Sequence, residues 1–269
     1  MKTQSVFISL SLLFSAILAG ADSAKAASLI SNVSYTDTKN NVILNSIHQN
    51  GTTFNNFSYV STAKIIYNTP RNQSANSGAA STDRGDNATS PLPTAEDPTR
   101  SQIAAFLGNN NLNNIIDTED IGAFTIDVFF DSQIVADNSG LDNLFFWERG
   151  MNSDLGIQAL DNAGNVIGNF KKIIETRNSN NYANFRINTT EINEDQKVGS
   201  WGVSLQDLGV SKLSGLRLTS QANYKGPDFK VIARKSVPEP STILGLGVIA
   251  GIAFLQKKGD REQGTDKKL

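Results

Sequence analysis

Ala123-Phe124-Thr125-Ile126-Asp127-Val128-Phe129-Phe130 is the stretch whose period decides the fold. Phe124, Ile126, Val128 and Phe130 fall on one side and Thr125 and Asp127 on the other, the two-residue alternation of a half-buried antiparallel strand. Leu144-Phe145-Phe146-Trp147-Glu148 is bulky on both faces, which predicts a central strand of a sandwich. Leu155 to Leu160 and Val166 to Phe170 flank Asp161-Asn162-Ala163-Gly164-Asn165, a short hairpin connection. With Val42-Ile43-Leu44, Phe57 to Tyr67, Tyr182 to Ile187, Leu216 to Thr219 and Phe229 to Ala233 the chain carries about nine strands at regular turn spacing. Asn50-Gly51 is a hairpin turn, and His48 beside it reads as an exposed loop histidine.

One helix is expected. Asp97 offers an N-cap, Pro98 suits the first helical position, Ile103, Phe106 and Leu107 share a face, and Gly108 ends it. Asn109 to Asn114 is too asparagine-rich for regular structure and reads as a loop rich in side-chain hydrogen bonds. Residues 68–96 carry Pro, Ser, Asn, Gly and Ala with almost no large apolar residue, which predicts a mobile insertion. A single helix gives too few crossovers for an α/β fold. The expected class is mainly β: a single β-sandwich ectodomain, jelly-roll-like, with one short helix.

Composition narrows the chemistry. Between Ala27 and Pro240 lie 17 basic and 22 acidic residues, a net charge of −5, which excludes nucleic acid as the expected partner. Cysteine is absent, so thiol catalysis, thiolate zinc sites and iron–sulfur clusters drop out, and stability must come from a packed core. His48 is the only histidine, so a multi-histidine metal centre is excluded.

Both ends read as address labels. Lys2 opens a positive start, Val6 to Leu18 is apolar with a few serines, and Ala24-Lys25-Ala26 is a small-x-small cleavage site, so residues 1–26 form a signal peptide with the mature chain starting near Ala27. A simple N-terminal anchor is the competing reading. At the other end Val237-Pro238-Glu239-Pro240-Ser241-Thr242 leads into the apolar run Ile243 to Leu255, closed by Lys257-Lys258. That run makes a helix of about 20 Å against a hydrocarbon core of about 30 Å, so it is marginal as a span. The two prolines hold the preceding peptide extended and outside a bilayer. A buried C-terminal helix of the ectodomain is the alternative, disfavoured by Gly245, Gly247 and Gly251 and by the lack of a polar face.

Residues 237–269 resemble the PEP-CTERM sorting signal, which an exosortase recognises and removes. Here the basic cluster is two lysines, and eleven residues follow it. The body of the chain, residues 27–236, resembles a group of cyanobacterial exosortase-dependent surface proteins. The segments that carry this likeness are Phe106 to Asn109, Asp117 to Asp120, Phe145 to Leu155 and Tyr224 to Val231. The resemblance implies export, transient inner-membrane anchorage, an exosortase as partner and a cell-surface or extracellular-matrix destination for a β-rich ectodomain. It implies no reaction.

The residues nominate a few candidate sites. Glu148, Arg149 and Asp154 form the densest charged cluster beside aromatic residues. In a sugar-binding reading Trp147 is a stacking platform and these charges bind hydroxyls; in the plainer reading Trp147 lies in the core. Trp201, between glycines, reads as surface-placed. Glu148 with Asp228 is the nominated carboxylate pair for glycoside hydrolysis. A structural calcium is the one candidate ion, on the oxygen-rich turns Asp137 to Asp142 and Asp117 to Asp120, although Asp142 stands where an EF-hand loop has glycine. Asn-x-Ser/Thr triplets begin at Asn32, Asn56, Asn72, Asn87 and Asn188. No cofactor is implied. The expected function is a non-catalytic binding or structural module associated with extracellular polysaccharide. A secreted carbohydrate-active enzyme is the alternative from another class, and a ligand-free coat subunit a third.

Overall fold

A computed structural model describes residues 29–36, 41–70, 80–82, 95, 97–175, 181–188 and 194–235. The expected signal-peptide site at Ala24, Ala26 and Ala27, the expected sorting signal from Val237 to Lys258 and the triplets at Asn72 and Asn87 lie outside those residues. Among the described residues no helix is long and apolar enough to cross a membrane.

The described chain is mainly β, with fifteen strands and one α-helix. In chain order they are β1 (Ile30–Thr36), β2 (Asn41–Gln49), β3 (Thr52–Phe54), β4 (Phe57–Ser58), β5 (Val60–Asn68), β6 (Ala80–Ser81), α1 (Arg100–Leu107), β7 (Asp117–Thr118) and β8 (Phe124–Val135). They continue with β9 (Leu144–Arg149), β10 (Leu155–Leu160), β11 (Val166–Ile173), β12 (Tyr182–Asn188), β13 (Asp195–Val203), β14 (Lys212–Ser220) and β15 (Phe229–Arg234). Ten of these make two five-stranded sheets, in the orders β11-β10-β14-β8-β5 and β12-β13-β9-β15-β4. The chain changes sheet at β4–β5, β8–β9, β9–β10, β11–β12, β13–β14 and β14–β15.

The alternation read in Phe124 to Phe130 sets the core. Phe124, Ile126, Val128 and Phe130 of β8, with Leu216 and Leu218 of β14 and Ile157 of β10, meet Leu144 and Phe146 of β9 and Phe229 and Val231 of β15 in one cluster. The two sheets therefore pack face to face. β9 also carries Phe145 and Trp147 on its other face, where they join Val42, Leu44 and Ile47 of β2 and Ile232 of β15 in a second cluster. The small sheet β1-β2-β3 covers that face, so β9 is buried on both sides, as its bulk predicts. A strand with no solvent face needs large side chains at every position.

Three local readings are corrected. The helix starts at Arg100, capped by Thr99 and not by Asp97. The Thr99 hydroxyl accepts from the Gln102 amide at 3.3 Å and the Thr99 amide donates to Gln102 Oε1 at 2.9 Å. An Asp97 cap would place Arg100 three residues on, where no side-chain acceptor can answer the cap's own amide. Gly108 does end the helix, with an ordinary negative φ. Glycine is required there because an added Cβ would sit 2.6 Å from the Val60 carbonyl of β5. His48 stands on β2 and not in the turn, its Nδ1 2.9 Å from Thr53 Oγ1 across the β2–β3 hairpin. Asn50 and Gly51 make that hairpin's turn, both at positive φ. Within 68–96, Ala80–Ser81 pairs with Asp117–Thr118 and Thr82 bridges Ala95, so those residues are tied to the fold.

Asp195–Val203 is a strand that its sequence conceals. Gly199, Gly202 and a polar start break the apolar alternation, yet Val198 packs in one cluster and Val203 in the other. At Gly202 a Cβ would collide with the Asp142 side chain.

Replacing Phe146, buried between the sheets, by alanine is expected to cost about 3–5 kcal/mol. Urea unfolding of the variant should show a lowered midpoint at an unchanged slope, and a loss below about 1 kcal/mol would contradict a core centred there.

Candidate functional site

Phe106 to Asn109, Asp117 to Asp120, Phe145 to Leu155 and Tyr224 to Val231 are far apart in sequence, and the fold brings them to adjoining buried polar contacts. β9 ends in Glu148-Arg149, and Gly150 and Met151 at positive φ turn the chain toward Asn152-Ser153-Asp154 and β10. Tyr224 to Asp228 lead into β15, antiparallel beside β9. β7 lies against this approach: an added Cβ on Gly226 would stand 2.1 Å from the Thr118 carbonyl. Only glycine allows that contact, and its positive φ suits the same turn.

Arg149 is the centre of these contacts and is buried. Its Nη2 lies 2.9 Å from Asp228 Oδ2 and 3.0 Å from Asp117 Oδ2, and its Nε donates to Asp228 Oδ2 at 3.2 Å. The Asp228 carboxylate accepts the Thr118 amide at 3.0 Å, and the Arg149 amide donates to the Asp228 carbonyl at 2.9 Å. Ser153 Oγ donates to the carbonyls of Lys225 and Gly226, at 2.8 and 3.0 Å, and the Asp154 amide donates to Tyr224 O at 2.9 Å. At the surface Asp154 holds Lys172 of β11 at 2.8 Å. Phe106 and Asn109 join from α1 through Lys230 of β15, which is fully buried.

Two carboxyls, Asp117 and Asp228, share this one guanidinium, and a third, Glu148, lies near enough to feel its charge. Burial pushes the Asp228 carboxyl well above the usual carboxylate range; Arg149 opposes the rise, and Asp117, in charge and hydrogen bond, and Glu148 add to it. Glu148 is buried with neither oxygen in a full hydrogen bond. Its desolvation pushes its carboxyl well up against the weaker pull of the nearby Ser153 hydroxyl, Arg149, and the Met151 and Asn152 amides. The fold therefore favours the protonated acid at Glu148, since burial penalises the charged form.

The nominated ligand set Trp147, Glu148, Arg149, Asp154 and Asp228 is thus brought together in part, but as interior structure. Trp147 is buried in the second core and its Nε1 donates to Ser31 Oγ at 2.9 Å, so it offers no face for a sugar. Trp201 of β13 is half-buried, packed against the first core. Glu148 is buried on β9, and Asp228, just before β15, is half-buried and turned to Arg149. Asp137 is clasped by Arg234 at 2.6 and 3.0 Å, which holds its carboxyl down at about 2, and Asp142 accepts from Gln49 Nε2. Among the described residues no three His, Cys, Asp or Glu side chains could share a metal.

Sequence reading missed a second arrangement, on the outer face of the β8 sheet. Cross-strand pairs place Tyr67, Lys64 and Thr62 of β5 beside Thr125, Asp127 and Phe129 of β8, then Thr219, Arg217 and Gly215 of β14, then Gly156 and Gln158 of β10. Arg217 grips Asp127 at 2.7 and 2.9 Å, which fixes the guanidinium in the plane of its fork. The Phe170 ring of β11 comes within 2.8 Å of where a Cβ of Gly156 would stand, and the Phe129 ring within 2.9 Å at Gly215. Each glycine is filled from above by an aromatic ring, and Tyr67 and Phe170 remain 54% and 51% exposed. The signal was present in the two glycines inside strand patterns, which mark close approach by another group. A groove of about 590 Å³ between α1 and β5, lined by Val60 to Ala63, Arg100 and small helix residues, holds none of the nominated residues.

No protein-family model, curated protein or solved structure matches the chain.

Arg149→Met removes the only cation paired with Asp117 and Asp228 among the described residues and is expected to destabilise the fold by about 3–5 kcal/mol at neutral pH, read by urea unfolding. A cost under about 1 kcal/mol would mean the cluster is not buried as described. For Glu148 the folded-state pKa is raised, so its stabilising share is complete below the ordinary carboxylate range, at about pH 4.3, and is lost as pH rises through the raised value. Glu148→Gln cannot ionise. The stability of the wild type minus that of the variant should therefore fall as pH climbs from about 4.5 to 8, whereas a flat or rising difference contradicts the assignment.

Proposed function

We propose that this chain is an exported cell-surface or extracellular-matrix protein, sorted and processed by an exosortase after transient anchorage in the inner membrane. Its ectodomain is a non-catalytic β-sandwich of jelly-roll type, associated with extracellular polysaccharide. The double targeting read at the two ends supports the route. Strands that alternate between the two five-stranded sheets support the jelly-roll class.

The single observation that favours polysaccharide is the outer face of the β8 sheet. Tyr67, Phe129 and Phe170 present ring surface beside Gln158, Lys64 and the Arg217–Asp127 fork. Aromatic rings next to fixed planar donors and acceptors suit the apolar face and hydroxyl edge of a sugar. The hydrolytic reading finds less support, because Asp228 is committed to Arg149 and Glu148 is buried.

Affinity electrophoresis of the full chain in gels containing exopolysaccharide isolated from its own cells tests the binding. The wild type should be retarded, and Phe170→Ala with Gln158→Ala should lose most of that retardation while leaving urea stability within about 1 kcal/mol. Equal mobility of wild type and variant in the presence of the polysaccharide overturns the reading.

A further inference from the structure

Lys230 departs from the usual treatment of a buried cation. It is fully buried, directly opposite Trp147 on β9, and none of the described ion pairs includes it. Desolvation alone pushes its amine well down, toward the neutral form. Lysine is almost never buried without a carboxylate, because an uncompensated ammonium in the interior is costly. A neutral amine is also a nucleophile.

What that amine touches is a carboxamide. Nζ stands 3.3 Å from Oδ1 of Asn109, and it also donates to the Phe106 carbonyl in the last turn of α1. Asn109 Oδ1 already accepts the Asn111 amide at 2.9 Å and Asn114 Nδ2 at 3.0 Å. Asn109 Nδ2 donates to Ala105 O at 2.8 Å and to Phe106 O at 3.3 Å. The carbonyl is therefore polarised by two fixed donors, and both nitrogens converge on one carbonyl oxygen, that of Phe106.

We propose that Lys230 and Asn109 are a self-modification site that closes an intramolecular amide cross-link between β15 and the loop after α1. The Nζ lone pair attacks Cγ of Asn109 and the Nζ–Cγ bond forms. The oxygen that gains charge is Oδ1, held by the Asn111 amide and Asn114 Nδ2 as donors aimed at developing negative charge. Within the adduct the proton that Nζ gives up is taken by Nδ2, the Cγ–Nδ2 bond breaks, and ammonia leaves. No oxidant, metal or cofactor enters the balance. Holding the two groups in contact inside the fold replaces a bimolecular encounter. Asn109 is half-buried, which gives the ammonia a way out.

The product leaves no ionisable amine in the interior and joins two positions 121 residues apart. In a chain with no cysteine it supplies the constraint on the unfolded state that a disulfide would otherwise give.

The test is intact mass under denaturing conditions, followed by peptide mapping, on the full chain as purified. The expected result is a mass lower than that of the sequence by one ammonia in essentially every molecule, with a branched peptide joining the Asn109 and Lys230 segments. Asn109→Ala and Lys230→Met should each restore the uncrosslinked mass, and the wild-type mass decides the matter even where a variant fails to fold. A wild-type chain of full sequence mass, with Asn109 and Lys230 in separate linear peptides, overturns the proposal and leaves Lys230 as a helix cap only.

Discussion

A guanidinium withdrawn from water, Arg149, holds the end of this fold together. It can be buried only because Asp228 and Asp117 meet it with hydrogen-bond geometry, and each carboxylate can be buried only because Arg149 is there. Such a contact is weak as a source of net stability and strong as a constraint, because any arrangement that separates the partners leaves a charge in the interior. The turns that deliver those partners depend on it. Gly150, Met151, Lys225 and Gly226 take positive φ so that the β9–β10 and β14–β15 connections can close around the ion pairs.

From that constraint the layers follow. Asp228 is fixed to Arg149 by backbone as well as side chain, which sets the β9–β15 register and with it the pairing of Lys230 with Trp147 and of Val231 with Phe146. That register sends Phe146 and Val231 to one core and Trp147 to the other. A slip of one residue would invert every one of these assignments. The same register puts Lys230 under the end of α1, so the helix is placed against the sheets through its last carbonyls as well as through Ile103 and Leu107.

The sequence made the sheet core legible and the site only in part. Phe124 to Phe130 alternates in period two, and a strand with one wet face keeps that signature in any context. Phe145 to Trp147 could be read as doubly buried from bulk alone. Asp195–Val203 could not, because its glycines are there to admit neighbours such as Asp142, and nothing local encodes the neighbour. Glu148, Arg149 and Asp154 read as a charged cluster and Glu148 with Asp228 as a carboxylate pair; Arg149 and Asp228 do meet, yet burial reverses the meaning, since spacing along a chain does not reveal which face of a sheet is covered. The ring-over-glycine pairs, Phe170 on Gly156 and Phe129 on Gly215, join separate strands, so only the glycines hinted at them. Lys230 sits in a run of apolar residues and looks like an ordinary strand lysine until α1 is placed above it.

Native-state hydrogen exchange of individual amides tests the central role of Arg149 most directly. The Thr118, Arg149 and Asp154 amides, which bond to Asp228 Oδ1, Asp228 O and Tyr224 O, should exchange only through global unfolding and share the protection of the Ile126 and Val128 amides in the core. Fast exchange of those three, with the core amides still protected, would show a loop cluster that opens on its own and would contradict that role.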